Sequence, residues 1–97
     1  MSVIKVQDMR GPYVVFDGEF LEKLPARNGS SNRRHVSEFR EVRLEHKPAK
    51  RKLLGGQSEE HWQALIHCGA FFSLWVTADE KPRLDELTAA LEARASG

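Results

Sequence analysis

Four histidines are the side chains of this sequence best suited to bind a metal: His35, His46, His61 and His67. In a strand, His61 and His67 would share a face about 20 Å apart at roughly 3.3 Å per residue, which is too far for one zinc ion. In a helix, the same spacing places them on poorly matched faces. The sequence also has no cysteine pair and no His-x-x-x-His motif. We therefore expect no metal site and no cofactor.

Nucleophilic catalysis would need an activated side chain beside a base. Cys68 is the only cysteine and ends an apolar segment, so a buried and inert thiol is expected. Three serines lie close to His35 in the sequence, at positions Ser30, Ser31 and Ser37, but no nucleophile-elbow motif surrounds them. These residues predict no covalent catalysis.

The adjacent carboxylates Glu59-Glu60 and Asp85-Glu86 do not form an acid–base pair, because neighbours on a helix diverge by about 100°. Gly55-Gly56 lacks the lysine and the spacing of a phosphate-binding loop. With no catalytic residues to assign, we expect that the protein is not an enzyme.

The charged residues are distributed unevenly. Between Arg27 and Lys52 there are nine basic and three acidic residues, for a net charge of +6 on a chain whose total is +1. If the basic loop and turn meet at one end of the fold, the predicted anion-binding residues are Arg27, Arg33, Arg34, Lys50, Arg51 and Lys52. Such a site would attract an anionic membrane lipid or a nucleic acid. On separate loops, the same charges would only be solvated.

The length of 97 residues indicates a single domain, residues 1–97, with a modest core. No apolar stretch is long enough to span a bilayer, and residues 1–8 lack the apolar core of a secretory signal. One cysteine cannot form an internal disulfide. We therefore expect a cytoplasmic protein.

The first third of the chain predicts antiparallel strands. Residues 3–6 and 13–16 are β-prone, and Asp17-Gly18 is a favoured two-residue turn into a return strand at 19–24. Pro25 is expected to end that strand because it has no amide donor.

The middle of the chain predicts a polar loop and then a half-buried strand. Residues 26–34 are almost entirely polar, and Val36 and Phe39 are the expected anchors that return to the core. Residues 40–46 then alternate, with Val42 and Leu44 on one face and charged residues on the other.

Segment 58–68 fits two structures. As a helix it has Ser58 as a cap and Gly69 as a stop, which would give an α+β fold. As a strand it places Trp62, Ala64, Ile66 and Cys68 on the inner face, with a tight turn at Gly69-Ala70. We favour the strand because antiparallel pairing then connects the whole chain with short turns.

The last segment, 82–95, predicts an amphipathic helix. Pro82 suits the first helical position, and Leu84, Leu87 and Leu91 form a stripe along one side. A helix this short must pack on another element to be stable, and a curved sheet is the available partner. The expected fold is mainly β, an antiparallel β-barrel or sandwich capped by this helix.

This pattern resembles a bacterial pleckstrin-homology-like (PH-like) domain. The resemblance covers most of the chain and depends on the hairpin at 13–24, segment 35–42 and segment 71–95. It implies two nearly orthogonal antiparallel sheets that together form a seven-strand barrel, with the helix closing one open end. The sequence departs from the eukaryotic pattern because Trp62 and Trp75 both precede the closing helix, where that pattern has a tryptophan inside it. Members bind phosphoinositides, peptides or other proteins, so the likeness leaves the ligand open.

The expected function is that of a non-enzymatic interaction module that binds a protein or peptide partner, for example by strand addition at an exposed sheet edge. The alternative is electrostatic binding of anionic lipid or nucleic acid through the basic segment 27–52. The sequence does not indicate an oligomeric state.

Overall fold

The computed structural model describes residues 3–27, 30–51 and 57–96. The elements follow in chain order: β1 (Ile4–Gln7), β2 (Tyr13–Phe16), β3 (Phe20–Arg27), β4 (Ser30–His35), a short 3-10 helix (Val36–Glu38), β5 (Phe39–Lys47), β6 (Lys50–Arg51), β7 (Gln57–Ser58), β8 (His61–Cys68), β9 (Ala70–Thr77) and helix α1 (Lys81–Ser96). The predicted mainly β fold with one C-terminal helix is confirmed.

The strands form two antiparallel sheets, with the order β1-β2-β3-β4 in the first and β5-β8-β9 in the second. In the chain segment that connects β5 to β8, the short strands β6 and β7 pair with each other. The two described sheets remain separate and do not close into a barrel. Of the barrel and the sandwich that the sequence allowed, the structure is compatible with the sandwich.

Helix α1 supplies the predicted leucine stripe to the core. Leu84, Leu87 and Leu91 are each at most 1% exposed. The helix contacts both sheets, at β1, β5 and β9. The core that it covers contains side chains from both sheets, among them Phe16 of β2 and Phe72 of β9.

Residues 61–68 are a strand, so the alternative of a helix over this segment is wrong. β8 lies between β5 and β9 and pairs with both along its length. Ala64, Ile66 and Cys68 are buried on the inner face, as predicted. Pairing on two sides gives the backbone of the strand hydrogen-bond partners along its length, which outweighs the local helix signals of Ser58 and Gly69.

The turn between β2 and β3 lies one residue later than predicted. The Asp17 amide donates to the Phe20 carbonyl oxygen at 3.3 Å, so Gly18 and Glu19 are the central residues. Gly18 has a φ of 102°, which glycine adopts without strain. Asp17 fixes the turn through its side chain, whose Oδ1 accepts hydrogen bonds from the amides of Glu19 and Phe20.

The predictions that Pro25 ends a strand and that residues 26–34 form a loop are wrong. β3 continues through Pro25 to Arg27, and Ser30–His35 form β4 beside it. The register between β3 and β4 shifts between Lys23 and Arg27, and an irregular register of this kind tolerates proline within a strand. A polar composition does not prevent strand formation at a sheet edge, because the backbone supplies the hydrogen bonds.

Candidate functional site

The free edge of β5 is the candidate site. Within residues 3–27, 30–51 and 57–96, β5 pairs with β8 on one side only, so its other side forms the edge of the second sheet. Among the described residues, the hydrogen bonds outside the strand ladders include none from the backbone of residues 40–47. A nine-residue strand therefore presents an open row of donors and acceptors.

Alternation along the ladder identifies which backbone groups face the open edge. The carbonyl oxygens of Ser73 and Trp75 accept hydrogen bonds from outside the sheet. The backbone groups of the odd-numbered residues of β9 therefore point away from β8. Gln63, opposite Trp75, therefore directs its backbone towards β5 and forms the hydrogen-bonded pair with Glu45.

Because backbone directions alternate along a strand, the amides and carbonyls of Val42, Leu44 and His46 point away from β8, in the plane of the sheet. The amides and carbonyls of Arg43 and Glu45 point towards β8. The open edge of β5 is therefore defined by the backbone of Val42, Leu44 and His46, which we call the β5 edge.

Opposite charges alternate on the outer face of β5. The Arg43 Nε lies 2.8 Å from the Glu41 Oε1, and the Lys47 Nζ lies 2.8 Å from the Glu45 Oε1. These two pairs are largely exposed and contribute little to stability. On the inner face, Leu44 is 49% exposed, although its partner on β8, Ala64, is buried. The strand thus combines an open backbone, an exposed apolar side chain and a balanced charge row.

The opposite edge of the same sheet is occupied. The Met9 amide donates to the Trp75 carbonyl oxygen at 2.7 Å, and the Lys23 Nζ donates to the Ser73 carbonyl oxygen at 3.0 Å. The guanidinium of Arg10 lies 4.4 Å from the centre of the Trp75 ring. These contacts join β9 to the first sheet, so β5 is the more accessible of the two edges.

A shallow groove of about 340 Å³ adjoins β5 on the outer face of the second sheet. Its lining includes Arg43, Glu45, Gln63, Leu65 and Trp75. Phe71 is also on this face and is 66% exposed. Arg43 and Glu45 belong to β5, so the groove begins at that strand and extends away from its open edge, across β8 and β9.

The predicted anion site is only partly within the described side chains. Of its six residues, Arg33 and Arg34 are exposed in β4. The Arg33 Cζ lies 4.1 Å from the centre of the Phe20 ring, and the Arg34 Nη1 lies 4.0 Å from the Glu38 Oε1. For Arg27, Lys50 and Arg51 the backbone alone is described, in β3 and β6, and Lys52 lies outside the described residues. Convergence of the six cations stays a prediction.

Each histidine ring contacts an aromatic ring: His35 with Phe20, His46 with Trp62, His61 with Trp75 and His67 with Phe71. Three of these four pairs are stacked, with centroids 4.6 to 5.3 Å apart. In residues 3–27, 30–51 and 57–96, no three His, Cys, Asp or Glu side chains form a group that would hold a metal. Three of the rings also have hydrogen-bond partners: His35 with the Ser37 hydroxyl, His46 with the Glu60 carboxylate and His61 with the Glu59 carbonyl oxygen.

Cys68 is buried, and its Sγ lies 3.4 Å from the carbonyl oxygen of His35. Burial raises the pKa of this thiol, and the nearby Glu38 carboxylate raises it further. A raised pKa leaves less thiolate at neutral pH, which is the opposite of what a nucleophile requires.

Sequence reasoning located β5 but missed its position at a sheet edge, since alternation is the same for an edge strand and a central strand. It also missed Asp8 and Arg10, which lie on both sides of Met9 in the turn that covers β9. No motif distinguishes these two residues.

Comparisons with protein-family models, with curated proteins and with solved structures found no match to this chain. In the part of the chain that the structure describes, no helix has the length and apolar character needed to cross a membrane.

Proposed function

We propose that this protein is a non-enzymatic interaction module that binds a protein or peptide partner by adding the partner's strand to the β5 edge. The observation that carries the proposal is the outward-facing backbone of Val42, Leu44 and His46 beside an exposed Leu44 side chain. In strand addition, backbone hydrogen bonds supply affinity and neighbouring side chains supply specificity.

We also propose that the chain is a PH-like domain. The support is the order of elements: four antiparallel strands, then a second antiparallel sheet, then one closing helix. β6 and β7 extend the connection between β5 and β8 and leave that order unchanged. The likeness concerns fold and does not select a ligand.

The alternative, electrostatic binding of anionic lipid or nucleic acid through segment 27–52, has less support. Arg33 and Arg34 are the two predicted anion ligands with described side chains, and both contact groups of their own chain. A cytoplasmic location remains our inference, and its support is the absence of any second cysteine for Cys68.

The proposal is tested with peptides selected for binding from a random display library. We expect selected peptides to slow amide hydrogen exchange at Val42, Leu44 and His46. The amides of Arg43 and Glu45 are internal controls, because they already bond to β8. Peptides that bind without protecting the three outward amides would contradict strand addition.

Two matched variants test the same surface. Leu44 and Leu65 are both exposed leucines of the second sheet, at 49% and 36%, but Leu65 belongs to the central strand β8. Leu44→Asp is expected to weaken peptide binding at least about tenfold, whereas Leu65→Asp retains most of it. Equal losses in the two variants would argue against the β5 edge.

A further inference from the structure

We infer that the partner at the β5 edge is a second copy of this chain, paired antiparallel through β5 about a two-fold axis at Leu44. The inference rests on the proposed function, since it uses the same edge, and it names the partner. Its support is the charge sequence of β5 together with the direction of its backbone groups.

A two-fold axis allows only certain registers. Side chains that are directly opposite in an antiparallel pair lie on the same face of the sheet. The axis must therefore pass between the two copies of one residue, so that this residue lies opposite itself. Each register then places a definite residue of one copy opposite each residue of the other. The charges on the outer face distinguish these registers.

With the axis at Leu44, every charged residue on the outer face meets an opposite charge. Arg43 lies opposite Glu45 of the second copy, and Glu41 lies opposite Lys47 of the second copy. The symmetry repeats both pairs, so the interface contains four pairs of opposite charge. Opposite charges across a strand pair are favourable, and like charges are unfavourable.

The neighbouring registers lack this match. An axis at Arg43 places Arg43 opposite Arg43 and Glu41 opposite Glu45. An axis at Glu45 places Glu45 opposite Glu45 and Arg43 opposite Lys47. An axis at Val42 pairs Glu41 with Arg43 but leaves Glu45 opposite Phe39, where the register with β8 is irregular.

The backbone directions are compatible with the axis that the charges select. The outward groups of Leu44 would bond to Leu44 of the second copy, and those of Val42 to His46 of the second copy. Pro48, the next even-numbered residue, has no amide donor and ends the pairing. On the inner face, the two Leu44 side chains would meet and cover the surface that is 49% exposed in one copy.

The first measurement is the mass of the protein in solution by sedimentation equilibrium. We expect a concentration-dependent species of twice the 11.0 kDa chain mass. Higher salt is expected to weaken it, because the paired charges are exposed. A chain that remains monomeric up to roughly 1 mM would overturn the inference.

Charge exchange tests the register. Arg43→Glu places a carboxylate opposite Glu45 twice in the dimer and is expected to weaken dimerisation about tenfold or more. The double variant Arg43→Glu/Glu45→Arg restores opposite charges across the axis and is expected to recover the dimer. Both variants lose the Glu41–Arg43 pair within the chain, so that loss does not explain a difference between them. An unchanged dimer in Arg43→Glu, or no recovery in the double variant, would contradict the axis at Leu44.

Cross-linking tests the axis directly. Opposite Cα atoms of a hydrogen-bonded antiparallel pair are about 5.5 Å apart, which a disulfide can bridge. We expect Leu44→Cys to form a disulfide-linked dimer on mild oxidation at least about tenfold faster than Leu65→Cys, whose residue is on the central strand. Equal rates would overturn the inference, and the buried Cys68 serves as the unreactive background.

These outcomes separate the two proposals. A monomeric chain that still takes display-selected peptides at Val42, Leu44 and His46 would overturn the dimer and leave strand addition intact. A chain that neither dimerises nor binds peptides at this edge would remove both.

Discussion

Arg10 binds both oxygens of the Asp8 carboxylate. Its Nε lies 3.0 Å from Oδ1 and its Nη2 lies 2.7 Å from Oδ2, while the Arg10 amide also donates to Oδ1 at 2.8 Å. Asp8 is only 1% exposed, so hydrogen bonds from the protein replace its hydration, chiefly those from Arg10 and also one from the Trp75 backbone. Arg10 also contacts Ser73 and Trp75 of β9. The pair therefore joins the turn after β1 to the second sheet.

Removal of the Arg10 guanidinium should destabilise the fold. In Arg10→Met, the buried carboxylate of Asp8 keeps only the hydrogen bonds from the backbone of residue 10 and of Trp75, and we expect a loss of about 2 kcal/mol in the free energy of unfolding. Urea denaturation followed by tryptophan fluorescence measures this loss. Arg83→Met on the exposed face of α1 is the control and should stay within about 0.5 kcal/mol of the wild type. Equal effects of the two variants would show that the Asp8–Arg10 contact is not stabilising.

Stability should fall in acid through Asp8. Burial raises the pKa of its carboxyl, but the hydrogen bonds from Arg10 and the nearby positive charge outweigh burial and hold that pKa below the ordinary value of 3.8. A folded-state pKa below the unfolded value means that the unfolded chain binds the proton more readily. The stabilisation is therefore complete above the unfolded pKa and is lost as pH falls through the folded pKa.

The test is the free energy of unfolding measured between about pH 6 and pH 2. Asp8→Asn is expected to flatten the acid limb of this profile. Asp17→Asn is the comparison, because turn hydrogen bonds also lower the pKa of Asp17, which is less buried than Asp8. A larger flattening in Asp17→Asn than in Asp8→Asn would contradict the assignment.

The contact between α1 and the sheets should depend on its leucines. Leu87 is fully buried, and Leu87→Ala is expected to cost about 2–5 kcal/mol through lost burial and a cavity. Leu44→Ala, at a half-exposed position, should cost under about 1 kcal/mol. Thermal and urea unfolding of both variants measure the difference. A mild effect at Leu87 would mean that the helix is not held by its leucine stripe.

Gly69 should resist substitution for two separable reasons. It is the only residue between β8 and β9, and its φ is 69°, a conformation that side chains disfavour by about 1–2 kcal/mol. An added Cβ would also lie 2.8 Å from the Glu38 carboxyl group. We expect Gly69→Ala to destabilise the protein through both effects.

The double variant Gly69→Ala/Glu38→Ala separates these effects, because it removes the close contact and keeps the backbone strain. It should recover part of the lost stability. Gly11→Ala is the matched control, since Gly11 has a φ of 119° but no atom within 4 Å of an added Cβ. Glu38→Ala should give Gly11→Ala no recovery, and an equal recovery in both backgrounds would contradict the steric reason.

The sequence was sufficient for elements whose side chains alternate between core and solvent. The helix stripe of Leu84, Leu87 and Leu91 and the inner face of 61–68 are both found in the structure. Local signals alone favoured a helix over 58–68, and antiparallel pairing with two neighbours decided for the strand. Consistency over the whole chain was therefore more informative than the local signals.

The sequence was insufficient where backbone contacts determine structure. β4 is polar, and Pro25 lies within β3, so composition argued against strands that the backbone nevertheless forms. The candidate site has the same limit. The alternating charges at 41–47 are visible in the sequence, but the edge position of β5 follows from which strands pair.

The unequal edges of the second sheet limit how far it can extend. An edge strand invites further strands, and a sheet open on both sides grows into a fibril. Here Met9 and Lys23 contact the β9 side, which leaves β5 as the more accessible edge of the second sheet. If chains associate through β5 as we propose, such an assembly would end at two copies, and the covered β9 side would oppose amyloid-like growth.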